Sequence, residues 1–74
     1  MTKIEKRIDV AYGKIYALGD TGLDYMDGHV DMDQTLMEHF YNDTVNTLSK
    51  AEQESLANIL EQIASDAEFD LEAF

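Results

Sequence analysis

Cysteine, proline and tryptophan are absent from the 74 residues. The first absence excludes disulfides and any thiolate metal site. The second leaves glycine and capping chemistry as the means of ending a helix, and there are only four glycines. Long apolar runs are missing too, with nothing approaching the roughly 20 residues of a membrane span. The opening MTKIEKRIDV carries charge with no apolar stretch behind it, so no secretory signal is expected and the cytoplasm is the expected location. Catalytic signatures are likewise missing. There is no nucleophile elbow, glycine-rich phosphate loop or H-E-x-x-H, and so small a helical domain rarely encloses a pocket for paired carboxylates. The chain is expected to be no enzyme and to need no cofactor. Positive charge is the scarcest commodity: from residue 15 to residue 49 there is no lysine or arginine.

Acid is what the sequence has instead. Sixteen Asp and Glu face five Lys and Arg, for a net charge of −11. The placement is uneven. Residues 1–19 hold Lys3, Lys6, Arg7 and Lys14 against Glu5 and Asp9, a local +2, whereas residues 20–74 hold fourteen acids against Lys50 alone, a local −13. Such a surface repels nucleic acid and anionic membrane and favours a basic partner. An apolar content of 45% exceeds that of a disordered acidic tail, so one folded domain is expected over 1–74. At this size only about 60% of the unfolded surface is buried, and the core is thin.

The apolar spacing predicts helices. In TKIEKRIDVAYGKIYAL, Ile4, Ile8, Ala11, Ile15 and Leu18 recur every three or four residues as one seam. Thr2 with Glu5 makes a capping box, and Gly19 suits the positive-φ position past the helix end. Gly13 inside this segment costs about 1 kcal/mol relative to alanine, which points to close packing there or to a hairpin turning at Gly13. Residues 33–48, capped by Asp33 or Asp31, present Leu36, Met37, Phe40, Tyr41, Thr44 and Leu48 on one face. Ser49 with Glu52 forms a second capping box ahead of Leu56, Ile59, Leu60, Ile63 and Ala67. The expectation is an all-α fold, a small antiparallel three-helix bundle. Between its first two helices, GDTGLDYMDGHVDMDQ is expected as an acidic loop or short broken helix, because Gly19, Gly22 and Gly28 interrupt it. Residues 68–74 either continue the last helix or form a free acidic tail.

Five aspartates crowd that inter-helix stretch. As an EF-hand loop beginning at Asp27 it places Asp27, Asp31 and Glu38 correctly, but His29 falls at a ligand position and Met32 where glycine is needed. No calcium site is therefore expected, and His29 and His39 are read as packed or solvated side chains, so no metal is assigned. A binding role fits better. On a helical wheel Asp20, Asp24, Asp27 and Asp31 fall within about 60° of one another, beside a stripe of Leu23, Met26 and Val30. Carboxylates at such spacings lie roughly 5 to 6 Å apart, a scale comparable to neighbouring phosphates. The candidate partner-binding residues are Asp20, Asp24, Asp27, Asp31, Tyr25, Met26, Glu38 and Asp43, the aromatic and apolar members supplying contact that charge cannot.

In size, acidity, lack of cysteine and helical build the chain resembles the small acidic inhibitors that phages direct against host nucleic-acid machinery, among them anti-CRISPR and anti-restriction proteins that mimic DNA. The resemblance is one of composition over the whole chain. It implies a stoichiometric inhibitor in the host cytoplasm that occupies the nucleic-acid groove of a basic protein or ribonucleoprotein complex, without binding nucleic acid itself. The end, SDAEFDLEAF, is similar to the acidic tip of bacterial single-stranded DNA-binding proteins, with Asp70, Glu72 and a final Phe74 as its docking residues, although Ala73 stands where that tip has proline. The alternative function is a helical-bundle adaptor or dimerisation module using the seam from Ile4 to Leu18, with a homodimer as its product or the tail as its docking segment.

Overall fold

Thr2 opens the first helix as its pattern requires: Oγ1 accepts a hydrogen bond from the Glu5 N–H at 3.1 Å. From there the computed structural model, which describes residues 2–72, passes through α1 (Lys3–Ala17), α2 (Asp20–Met32), α3 (Gln34–Tyr41), a 3-10 turn (Val45–Thr47) and α4 (Lys50–Glu72). No strand occurs among the described residues, so the class is all-α and the hairpin at Gly13 does not form. Among the described residues four α-helices stand where three were expected. The last continues through residues 68–72, while Phe74, on which the tail reading depends, lies outside the described residues.

The expectations for the middle of the chain need correction, for identifiable reasons. The acidic stretch is a thirteen-residue helix despite its glycines. Gly22 is buried against α1, and a Cβ built on it would lie 2.2 Å from the Ile15 carbonyl oxygen. The glycine therefore lets two backbones touch, and that tertiary contact outweighs its poor helix propensity. Gly13, where close packing was expected, has nothing within 4 Å of a built Cβ. The second correction concerns the long helix over 33–48, which stops at Tyr41. There the Asp43 N–H bonds the Phe40 carbonyl at 3.2 Å and the Thr44 N–H bonds the His39 carbonyl at 2.9 Å. This pair of bonds is the Schellman closure, with Asp43 at φ 56° in the position glycine usually takes. Asp33, expected as a cap, makes no side-chain cap bond and links α2 to α3 as an irregular residue at φ −137°.

The helix α4 is the spine. Twenty-three residues at about 1.5 Å each span about 34 Å, close to the molecule's longest dimension of 39 Å. Its Leu56, Ala57, Leu60, Ile63 and Ala64 are buried in one cluster with Ile8, Ala11 and Ile15 of α1, Met26 of α2 and Met37 of α3, and Ala67 is buried one turn further on. Both ends of its capping box are made: the Glu52 N–H donates to Ser49 Oγ at 3.2 Å, and the Ser49 N–H donates to Glu52 Oε1 at 3.1 Å. Those bonds hold the Glu52 carboxyl below the usual glutamate range. Arg7 fixes α1 beside α4, donating from Nη2 to Glu61 Oε1 at 2.6 Å and to Asn58 Oδ1 at 2.8 Å. Because Glu5 shares a groove with Gln53, and Lys14 another with Glu68, these two helices run in the same direction. The Tyr25 hydroxyl donates to the Asp70 carboxylate, tying α2 to the far end of α4.

Candidate functional site

The four aspartates of the row stand on α2 and all are exposed. Of the expected stripe, Met26 is fully buried and Val30 packs partly buried against the core, while Leu23 is 42% exposed; the core side of this helix centres on Gly22 and Met26. At 100° per residue the row lies about 150° round the helix from that core side. The carboxylates thus point away from the molecule rather than beside its apolar face.

Of the other candidates, Met26 is 0% exposed and offers nothing to a partner; it fills the core under α4. Tyr25 is half-buried, and its bond to Asp70 raises the phenol pKa above the ordinary tyrosine value. Glu38 is exposed on α3, and Asp43 is exposed at the helix-closing turn. Of the tail residues, Asp70 and Glu72 are exposed and helical, Asp70 being held by Tyr25. The seam proposed for dimerisation is taken up internally, because Ile8, Ala11 and Ile15 are buried in the chain's own core.

The twelve residues from Asp27 to Glu38 are helical apart from Asp33, so they form no cation-wrapping loop. Among the described residues no group of three or more metal-ligating side chains is placed to hold an ion. His29 Nδ1–H donates to the Tyr25 carbonyl at 3.0 Å. Thr44 donates its hydroxyl proton to the His39 carbonyl, so His39 Nδ1–H is the donor in its 2.8 Å bond to Thr44 Oγ1. Both rings are thus tied to local backbone or turn structure. No helix among the described residues is long and apolar enough to cross a membrane.

The structure also assembles a feature that the sequence reading missed. Tyr16, Tyr12, Phe40 and Tyr41 form a continuous strip of rings, with successive centroids 6.2, 5.3 and 5.7 Å apart. Tyr16 is 68% exposed, Tyr41 51% and Tyr12 39%. Desolvation raises the Tyr41 hydroxyl above its usual value, and the charge of Asp27 adds to the effect. Tyr12 and Tyr16 were visible as i, i+4 neighbours, but their junction with α3 depends on tertiary packing. A second surface runs between α1 and α4, where a groove of about 610 Å³ has Lys3, Lys6 and Lys14 on its α1 side and Glu61 and Glu68 on its α4 side.

Comparison with family models, with curated proteins and with solved structures finds no match for this chain.

Proposed function

We propose that the protein acts by binding, as a stoichiometric acidic ligand that occupies the basic nucleic-acid-binding surface of a protein or ribonucleoprotein complex. One observation carries the reading: the exposed row on α2 is sustained against the stability of its own helix. Asp20–Asp24, Asp24–Asp27 and Asp27–Asp31 are like-charge neighbours at helical spacing, each costing about 0.2 to 0.5 kcal/mol. Asp31 also stands in the last turn of α2, where a carboxylate opposes the helix dipole. No lysine or arginine between residues 15 and 49 relieves them. A surface needed only for solubility is better served by mixed charges, whereas a phosphate-binding groove attracts an unbroken acidic row through its long-range field. The phage-inhibitor resemblance is consistent with this role and belongs to the same proposal.

The test is competition. Proteins captured from a bacterial lysate on the immobilised chain at low salt should be released by sheared duplex DNA at unchanged ionic strength. The Asp24→Lys/Asp27→Lys/Asp31→Lys variant should capture none of them while keeping its helical circular dichroism. Capture that resists DNA, or that survives the charge reversal, would sink the proposal.

The dimerisation alternative retains one observation, the groove between the parallel α1 and α4. A two-fold axis along these helices would set the lysine side of one copy against the glutamate side of the other. Sedimentation at low and high salt decides it, because such a dimer dissociates as salt rises and on Lys14→Glu.

A further inference from the structure

We infer that the aromatic strip and the groove beside it form a docking site for an arginine-bearing segment of the partner, an inference that rests on the reading of the protein as a ligand for a cationic surface. Phe40 belongs to both features. It packs edge-on against Tyr12 and Tyr41, and it lines a groove of about 570 Å³ with Ile8 and Val45. Glu5, Asp9 and Asp43 line the same groove, with Lys50 as the one cationic side chain among the described residues that line it. Scattered exposed apolar side chains need no explanation, but four rings in continuous contact make a contiguous patch of the kind that marks an interaction surface.

The charges commit this patch to one occupant. Carboxylates border the strip: the charge of Asp27 acts on Tyr41, and the groove's acids line the same surface as Phe40. An acidic segment would be repelled, and a purely apolar one would strip water from those carboxylates without replacing it. A guanidinium satisfies both demands. Its plane stacks on an aromatic face, its N–H donors reach carboxylates in a fork, and it sheds water more readily than an ammonium. Asp43 is held at φ 56° in a turn position that glycine would fill more easily, and this keeps a carboxylate at the groove. The site therefore reads arginine, while the α2 row supplies a field that arginine and lysine feel alike.

The test uses synthetic arginine and lysine octapeptides of equal charge, titrated at low salt into the full chain with ¹³C-labelled aromatic rings. The arginine octapeptide should shift the Tyr12, Phe40 and Tyr41 ring resonances and bind about five-fold more tightly than the lysine octapeptide. Tyr12→Leu/Tyr41→Leu, which keeps apolar bulk but removes two π faces, should erase that preference, and Tyr41→Phe should preserve it. Equal affinities, with shifts confined to α2, would overturn the site and leave the cationic-ligand reading standing. Failure of both peptides to bind would overturn both.

Discussion

The three glycines inside helices separate into opposite roles once their surroundings are known. Gly22 touches the backbone of α1, and a methyl group there would drive the helices apart. Gly22→Ala should therefore cost about 1 to 3 kcal/mol, as overpacking does. Gly13 and Gly28 sit inside helices with open space around them, and alanine at either should stabilise by about 1 kcal/mol. In a domain of this size, each kcal/mol moves the melting temperature by about 4 to 8 °C, so three thermal melts separate these cases. Asp43 gives a complementary prediction. Relieving its left-handed backbone with Asp43→Gly should stabilise by about 1 kcal/mol and at the same time weaken arginine-octapeptide binding, a divergence of stability and affinity that a purely structural residue would not show. The sequence allowed none of these distinctions, because a glycine's role depends on what lies opposite it. The turn at Asn42-Asp43 was more accessible: both residue types tolerate positive φ, and the pair was a stop signal passed over in favour of a helical wheel that Thr44 and Leu48 happened to match.

Among the elements, the first and last helices were legible from local pattern alone. The α1 seam is buried at Ile8, Ala11 and Ile15, and the α4 face at Leu56, Leu60, Ile63 and Ala67. Both helices begin where a hydroxyl and a glutamate three residues on said they should. Of the misread elements, α3 ends at a local turn, whereas the form of α2 depends on a partner distant in sequence, Gly22 on Ile15. The same limit hid the aromatic strip, since nothing local joins rings separated by 28 residues. The capping box of α4 offers a test at this scale with a definite sign in pH. Glu52 is charged when it accepts the Ser49 N–H, and its folded pKa lies below the ordinary glutamate value. A depressed pKa contributes stability above the unfolded value of about 4.3, and that contribution is lost as pH falls through the lower folded value. The wild type should thus melt above Glu52→Gln at pH 7, and the gap should narrow as pH is lowered below the glutamate range. Ser49→Ala, which removes a neutral acceptor, should cost about 1 kcal/mol, with much weaker pH dependence. A gap for Glu52→Gln that stays constant from pH 7 to pH 2 would refute this account of the cap.

For the molecule as a whole, the governing quantity is the charge of −11 and where it lies. A compact chain with this excess repels itself, so added salt should raise its melting temperature by screening, even as the same salt weakens any charge-steered complex. The triple replacement of Asp24, Asp27 and Asp31 by lysine makes the two effects separable. Each substitution moves the net charge by two units, so the variant sits at −5. It turns the repulsion between positions 20 and 24 into an attraction, leaves like charges at the other two spacings, and places a cation at the last turn, where the helix dipole favours one. None of the three side chains is part of the core, and none caps a helix, so nothing in the packing opposes the change. The variant should therefore melt at or above the wild-type temperature, with a smaller gain on adding salt, while failing to capture the DNA-displaceable partners. Loss of helicity or a lowered melting temperature would mean that the aspartates serve the fold, and the row could no longer be read as a surface kept for binding at the helix's expense.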